Sequence, residues 1–211
     1  MGKAKISNAI IRRLPRYRRY LGHLQQTKEL TKVSSNELSE LMGYTASQIR
    51  QDLNTFGKFG HQGYGYEIKE LLKEINSILG LDREYKTVIV GCGHLGQAIT
   101  NYTYYYKIGF KIIGLFDVNP DIVGTTINGV KVSNVSELKD FVKENEVVIG
   151  VICVNRENAQ SVADALVEGG VKGIWNFAPI DLDIDKKVAL ESVHLSDSLH
   201  ALTFMINNMD E

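Results

Sequence analysis

Gly91-Cys92-Gly93-His94-Leu95-Gly96 follows directly on Thr87-Val88-Ile89-Val90. A GxGxxG turn behind a short β-rich run and ahead of a helical pattern restricts the chain to a βαβ arrangement able to take a dinucleotide. The first glycine permits the tight turn, the second lets backbone approach a pyrophosphate, and the third lets helix and strand pack closely. The helix that opens here offers unpaired N–H groups and a partial positive charge to phosphates. Dinucleotide folds often begin near the first residue, yet about 85 residues precede this turn.

Those leading residues carry their own charge. Residues 1–80 hold 13 Lys and Arg against 7 Asp and Glu, whereas residues 81–211 hold 11 against 18. A net charge of −1 thus conceals a basic module joined to an acidic one. A basic module implies a polyanion partner, or more blandly a solvated helical surface. The length allows one or two domains, and 44% hydrophobic with 23% charged residues is a soluble globular composition. No run of about 18 apolar residues suggests a membrane span. Met1 to Ala9 lacks an apolar signal core, so a cytoplasmic location is expected. Cys92 and Cys153 provide neither a disulfide framework nor metal spacing. They read as small buried fillers in a reducing compartment.

Within the basic module, Ile10, Leu14, Tyr17, Leu21 and Leu24 recur at helical spacing, which predicts an amphipathic helix over 7–26. Pro15 is expected to bend it or mark an early turn. Arg12, Arg13, Arg16, Arg18 and Arg19 surround the apolar stripe. Ser34 with Glu37 forms a capping box ahead of Leu38 and Leu41, and Gly43 closes that short helix. Thr45-Ala46-Ser47-Gln48 forms a second capping box and opens a helix from Ala46 to about Phe56. Two short helices joined by a glycine turn are a helix-turn-helix pattern. Ala46, Ile49, Leu53 and Phe56 share the core face of the second helix, and Ser47, Arg50, Gln51 and Asn54 the opposite face. Arginine can reach guanine, and Gln or Asn adenine. Gly57 to Tyr66 then interleaves glycines with aromatic and polar residues, which suggests a β-hairpin. A hairpin after such a helix is a winged-helix arrangement, with Lys58, His61, Gln62 and Tyr64 as wing contacts. Glu67 to Leu79 gives a further helix, leading to a linker near Gly80–Glu84.

In the acidic module, Lys111 to Phe116 is a second strand, and Asp117 lies 21 residues past Gly96. An acidic residue about there binds the ribose hydroxyls and repels a 2′-phosphate, which favours NADH and NAD+; its alternative role is that of a turn residue before Asn119-Pro120. Val147 to Val154 is apolar throughout, as in a buried parallel strand. Glu157 to Val167 is a helix and Gly173 to Asn176 a strand. Val154-Asn155-Arg156 and Asn176-Phe177-Ala178-Pro179 then lie at strand ends, near a nicotinamide. No catalytic acid–base set and no substrate domain is evident. The helix Ser196 to Asn208 is apolar over a wide arc, so it packs on its own domain or is exchanged between protomers.

Taken together these residues resemble the Rex family of bacterial redox-sensing transcriptional repressors. The resemblance is carried by Arg13-Leu14-Pro15-Arg16-Tyr17, Gln48-Ile49-Arg50-Gln51-Asp52-Leu53, Phe56-Gly57-Lys58-Phe59-Gly60, Gly63-Tyr64-Gly65-Tyr66, the Gly91–Gly96 turn, Phe116-Asp117-Val118 and Trp175-Asn176-Phe177-Ala178-Pro179. It implies an α/β chain with a winged-helix domain over 1–80, a Rossmann domain over 81–192 and an exchanged dimerisation helix over 193–211. It implies a homodimer without turnover that binds a palindromic double-stranded operator and lets go when NADH binds. By position, Thr45, Ser47, Gln48, Arg50, Gln51 and Asn54 join the wing residues as DNA contacts. Gly91, Cys92, Gly93, His94, Leu95, Gly96, Asp117, Val154, Asn155, Asn176, Phe177, Ala178 and Tyr102 hold the cofactor. Arg19, Tyr102, His194 and Leu195 match the coupling and interface positions. Gln51 and Gln62 stand where members often carry Lys and Arg, and His194-Leu195 where they often carry Asp with an apolar or aromatic residue. A small NAD-dependent oxidoreductase, which leaves residues 1–66 without a role, and a coenzyme A module, which Asp117 disfavours, are the alternatives.

Overall fold

Leu14, Tyr17, Leu21 and Leu24 form the buried face of helix α1 (Asn8–Thr27), so the three- and four-residue spacing is realised as one stripe. The computed structural model describes residues 7–27, 30–55, 60–61, 65–102, 105 and 108–209, with backbone only at 60–61. The chain divides into two units between Arg83 and Glu84. α1 runs through Pro15 rather than turning there, because burial of Leu14 and Tyr17 holds the helix on either side of the missing N–H.

The rest of the first unit closes on that stripe. Helices α2 (Ser35–Met42) and α3 (Ala46–Asn54) form the helix-turn-helix, and α4 (Ile68–Ile78) packs on α1. Gly43 takes the left-handed conformation at φ 69° that ends α2. The Ser34–Glu37 capping box forms in both directions, at 3.1 and 2.7 Å. Met42 rather than Leu41 joins Leu38 in the core, since the i, i+4 pair faces α1; Leu41 stays exposed. α3 ends at Asn54, short of the expected Phe56, which lies outside the described residues. Strands β1 (Lys32–Val33), β2 (Gly60–His61) and β3 (Gly65–Glu67) pair antiparallel in the order β1-β3-β2. β2 and β3 are the expected hairpin. Lys58, Gln62 and Tyr64 lie outside the described residues.

The second unit is a doubly wound sheet. Its strands are β4 (Tyr85–Val90), β5 (Phe110–Asp117), β6 (Thr126–Ile127), β7 (Val130–Asn134), β8 (Ile149–Ile152), β9 (Gly173–Asn176) and β10 (Ala189–Ser192). They lie in the order β10-β9-β8-β4-β5-β7-β6, parallel throughout except for β6 against β7. The six parallel strands have the Rossmann order, whose direction reverses between β4 and β8. Along β4, Val88 and Val90 face helices α6 (Leu138–Glu144) and α7 (Arg156–Gly169), while Ile89 faces the side carrying α5 (His94–Asn101). Burial on both faces explains why these strands read as unbroken apolar runs. Helix α8 (Leu195–Asn207) closes the described chain and buries none of its residues. No helix is long and apolar enough to cross a membrane among the described residues.

Candidate nucleotide site and nucleic-acid face

The glycine turn sits where the strand order reverses, and each glycine has a different reason to lack a side chain. Gly91 has φ 94°, and a Cβ there would come within 2.6 Å of Cys153 O. A Cβ on Gly96 would collide with Gly91 O, so α5 approaches the turn only through glycine. A Cβ on Gly93 would meet nothing within 4 Å. Gly93 is the N-cap of α5 and supplies no side-chain cap, so the first-turn N–H groups remain available to an anion. A cavity of about 470 Å³ opens beside the turn, walled by Gly91, Gly93, Asp117, Val118, Val154 and Asn155. Its only ionisable wall groups are Asp117 and Cys153; no Lys or Arg lines it among the described residues.

Asp117 takes the turn role that the sequence offered, and a second backbone contact besides. Its Oδ1 accepts the Asn119 N–H at 2.8 Å, closing a turn, and its Oδ2 accepts the Cys92 N–H at 2.6 Å. The carboxylate thus braces the glycine turn while facing the cavity. Burial, and then the charge of Asp117, push the Cys92 thiol up to about 11. Burial likewise pushes Cys153 up to about 12. His94 and Leu95 stand exposed on the first turn of α5, outside the cavity wall. Asn158 and Ser161, one and two turns into α7, also line the cavity. Sequence reading stopped at Asn155, although the i, i+3 spacing from that residue already pointed to both.

The segment after β9 departs from expectation. Asn176 is fully buried, its Nδ2 donating to Ile180 O at 3.0 Å and its Oδ1 accepting the Ala178 N–H at 2.9 Å. Ala178 is buried in the core, and Phe177 packs on Trp175 with ring centroids 4.5 Å apart. None of the three lines the cavity. Their side chains build the turn, because a buried amide must be satisfied internally. Tyr102 is exposed and edge-on to Tyr105. His194 is the N-cap of α8, with Nε2 3.8 Å from Asp181 Oδ1, and Leu195 is exposed.

In the first unit, Ser47, Arg50, Gln51 and Asn54 are all exposed on one face of α3, opposite buried Ile49 and Leu53. Arg50 Nη1 donates to Ser35 Oγ at 3.0 Å, bridging to α2. Thr45 caps α3 by accepting the Gln48 N–H at 3.1 Å. The reciprocal half of this capping box is absent because Gln48 Nε2 donates to Asp52 Oδ1 instead, at 2.9 Å. Gln48 is therefore turned inward. Arg13 is also not part of a free basic cluster: its guanidinium forks onto buried Asp52. Arg16 lies 5.0 Å from the Tyr44 ring and Arg19 5.4 Å from the Tyr20 ring. Asp52 was visible only as an acid among the polar residues of α3, and nothing in the periodicity marked it as core.

Comparison with known proteins adds to this geometry. Residues 5–54 match the family described as "Putative DNA-binding protein N-terminus", and residues 82–180 the family "CoA binding domain". The redox-sensing transcriptional repressor Rex of Clostridium perfringens is 56% identical over 208 residues, 99% of this chain and 98% of its own. Its counterpart in Thermoanaerobacter pseudethanolicus is 53% identical over 97% of this chain and 91% of its own. A crystal structure of RSP in complex with beta-NAD+ and operator DNA superposes with a TM-score of 0.91 at 52% identity, covering 99% of this chain and 95% of that one. RSP in complex with beta-NADH gives 0.90 at 50% identity, over 99% and 97% of the two chains.

Proposed function

The chain belongs to the Rex family of redox-sensing transcriptional repressors, and from that membership we propose that it binds a palindromic operator in double-stranded DNA and releases it when NADH binds. One observation carries the reading: a polar helix face of the helix-turn-helix type and a Rossmann cavity with a carboxylate and no cation occur in the same chain.

The cavity fits a dinucleotide without a 2′-phosphate. Gly91, Gly93 and Gly96 with the α5 N-terminus, including Cys92, His94 and Leu95, would take the pyrophosphate. Asp117 would take the adenosine ribose hydroxyls. It would repel the ribose 3′-phosphate of coenzyme A, which disfavours that ligand on the same fold. Val154 and Asn155 would lie toward the nicotinamide, whose oxidation state is the signal. Asn176, Phe177 and Ala178 act by holding the neighbouring turn. The relatives are transcriptional repressors, and this supports reading the protein as a regulator rather than an enzyme.

The DNA contacts are Thr45, Ser47, Arg50, Gln51 and Asn54 from α3, with Lys58, His61, Gln62 and Tyr64 from the wing. The observed division falls between Arg83 and Glu84, a few residues past the expected boundary at 80, and the second unit includes residues 193–211, the proposed dimerisation helix. Two copies form a cytoplasmic homodimer by exchanging α8. The apolar groove of about 450 Å³ on the α5 side of the sheet, lined by Ile89, Ile112, Val151 and Trp175, supports this by offering α8 a seat. Arg19, Tyr102, His194 and Leu195 match the family's coupling and interface positions by place in the sequence, and position 194 lacks the carboxylate that members often carry there. Half-site spacing is fixed by dimer geometry, so an NADH-driven change of that geometry loses many contacts together.

The test is fluorescence anisotropy of a labelled operator, selected from random DNA, titrated with NADH and separately with NAD+. Release by NADH at concentrations where NAD+ leaves the complex intact is the expected result. DNA binding indifferent to both nucleotides would remove the sensor role.

A further inference from the structure

Among the described residues of the first unit, one carboxylate is buried on the side of α3 away from its exposed polar face. Asp52, in the last turn of α3, is 0% exposed. Arg13 reaches it from α1, with Nε donating to Oδ2 and Nη2 to Oδ1, both at 2.7 Å. The Tyr17 hydroxyl, also on α1, donates to Oδ2 at 3.0 Å, and Gln48 Nε2 donates to Oδ1 at 2.9 Å. Four donors from two helices converge on one carboxylate.

Leucine against leucine resists separation of two helices but tolerates rotation and sliding. A guanidinium fork on a carboxylate permits one direction of approach. Buried ion pairs contribute weakly to net stability, and their best-attested use is to select one arrangement among similar ones. Such selection matters on α3. Asp52 points inward, while Arg50, Gln51 and Asn54 point outward from the same two turns. A side-chain tip lies about 6 Å from a helix axis, so rotating α3 by about 20° moves it by about 2 Å. That exceeds the distance range over which a hydrogen bond to a base edge survives.

We propose that Asp52 and Arg13 are a positioning pair that fixes the rotation of α3 against α1, and thereby the register in which Arg50, Gln51 and Asn54 meet the operator. Tyr17 and Gln48 complete the pair by occupying the remaining carboxylate lone pairs. The hydrogen bonds from Arg13, Gln48 and Tyr17 outweigh the opposing effect of burial and hold Asp52 ionised below the usual carboxylate range, so the fork is intact at any physiological pH. The inference rests on the operator-binding reading above.

The full-length double variant Arg13→Met/Asp52→Leu tests it. The exchange removes one charge of each sign, so net charge and salt-dependent binding to unrelated DNA are unaltered. Apolar replacement of a buried pair is commonly neutral or stabilising. The expected result is an unchanged or higher melting temperature, unchanged NADH affinity, unchanged affinity for unrelated DNA, and operator affinity reduced tenfold or more. Arg13→Lys, which keeps the charge and loses the fork, should also lose operator affinity selectively. Operator binding within twofold of the unmodified chain overturns the positioning role. If the double variant does not fold, Gln48→Ala and Tyr17→Phe decide: a selective loss of operator affinity at unchanged melting temperature supports the pair, and any other result overturns it. Failure of the unmodified chain to select any operator overturns the underlying reading instead, which separates the two failures.

Discussion

Cys92 lies inside the glycine turn of a redox-sensing family member and Cys153 packs beside it, and burial decides whether they react. With thiols pushed up to about 11 and about 12, the thiolate fractions at pH 8 are on the order of 1 in 1,000 and 1 in 10,000. The thiolate is the reactive form, so both sulfurs are expected to be unreactive at neutral pH. Iodoacetamide at pH 8 should label both cysteines about two to three orders of magnitude more slowly than free cysteine, by mass spectrometry, with the rate rising as pH approaches 11. Labelling of Cys92 at the free-cysteine rate would show an opened turn. Asp52 gives the opposite pH sign. Its pKa is lowered in the folded chain, so its stabilisation is complete above about pH 4 and is lost as pH falls through the folded value. Asp52→Ala, which leaves partly exposed Arg13 and buried Tyr17 without their shared acceptor, should destabilise the first unit by about 1–3 kcal/mol at pH 7 and flatten its acid unfolding limb, read by circular dichroism. Neither residue announced its environment in the sequence. An aspartate between Gln51 and Leu53 looks like a surface residue until α1 supplies its partner, 39 positions away.

Elements were legible where each obeys a period of its own. α1 and α4 bury one stripe, β4 and β8 bury both faces, and the GxGxxG turn has a fixed place between strand and helix. β1 escaped because two residues carry no periodicity and its pairing is decided by distant partners, Glu67 and Tyr66; β6 pairs with adjacent Val130 and Lys131 across Asn128-Gly129, a local hairpin signal that the sequence did offer. Asn176 was placed correctly at a strand end, yet its amide turned inward to satisfy backbone carbonyls that only the folded turn brings together. The glycine turn allows the sharpest test at this scale, because its glycines are small for different reasons. Gly93→Ala adds a methyl to open space, so melting temperature should stay within a degree or two while NADH affinity falls tenfold or more, since the methyl occupies the phosphate approach. Gly96→Ala forces α5 away from Gly91 O and should lower both stability and NADH affinity. Calorimetry with nucleotide titration separates them. Equal loss of stability in both variants would mean that the turn is rigid scaffold throughout.

At the scale of the molecule, the decisive fact is a helix that its own chain does not cover. Leu199 is 61% exposed, Phe204 70% and Ile206 54%, all on α8. Burial of each such side chain is worth about 1.5–3 kcal/mol, so a solvated α8 forgoes several such terms. The sheet presents the complementary defect, an apolar groove beside α5 where a doubly wound fold ordinarily carries another helix. The proposed exchange of α8 between two copies would remove both defects with one symmetric contact. In that proposed dimer a palindromic operator would engage two α3 faces, so loss of the dimer should be felt at the operator. Leu199→Glu with Leu202→Glu places carboxylates in that seam. Sedimentation equilibrium should then find monomers that still bind NADH. Operator affinity should fall by about 100-fold or more, because the second half-site is no longer engaged at the effective concentration that linkage provides. A variant that stays dimeric and keeps its operator would mean that α8 lies outside the interface and that another surface fills the groove.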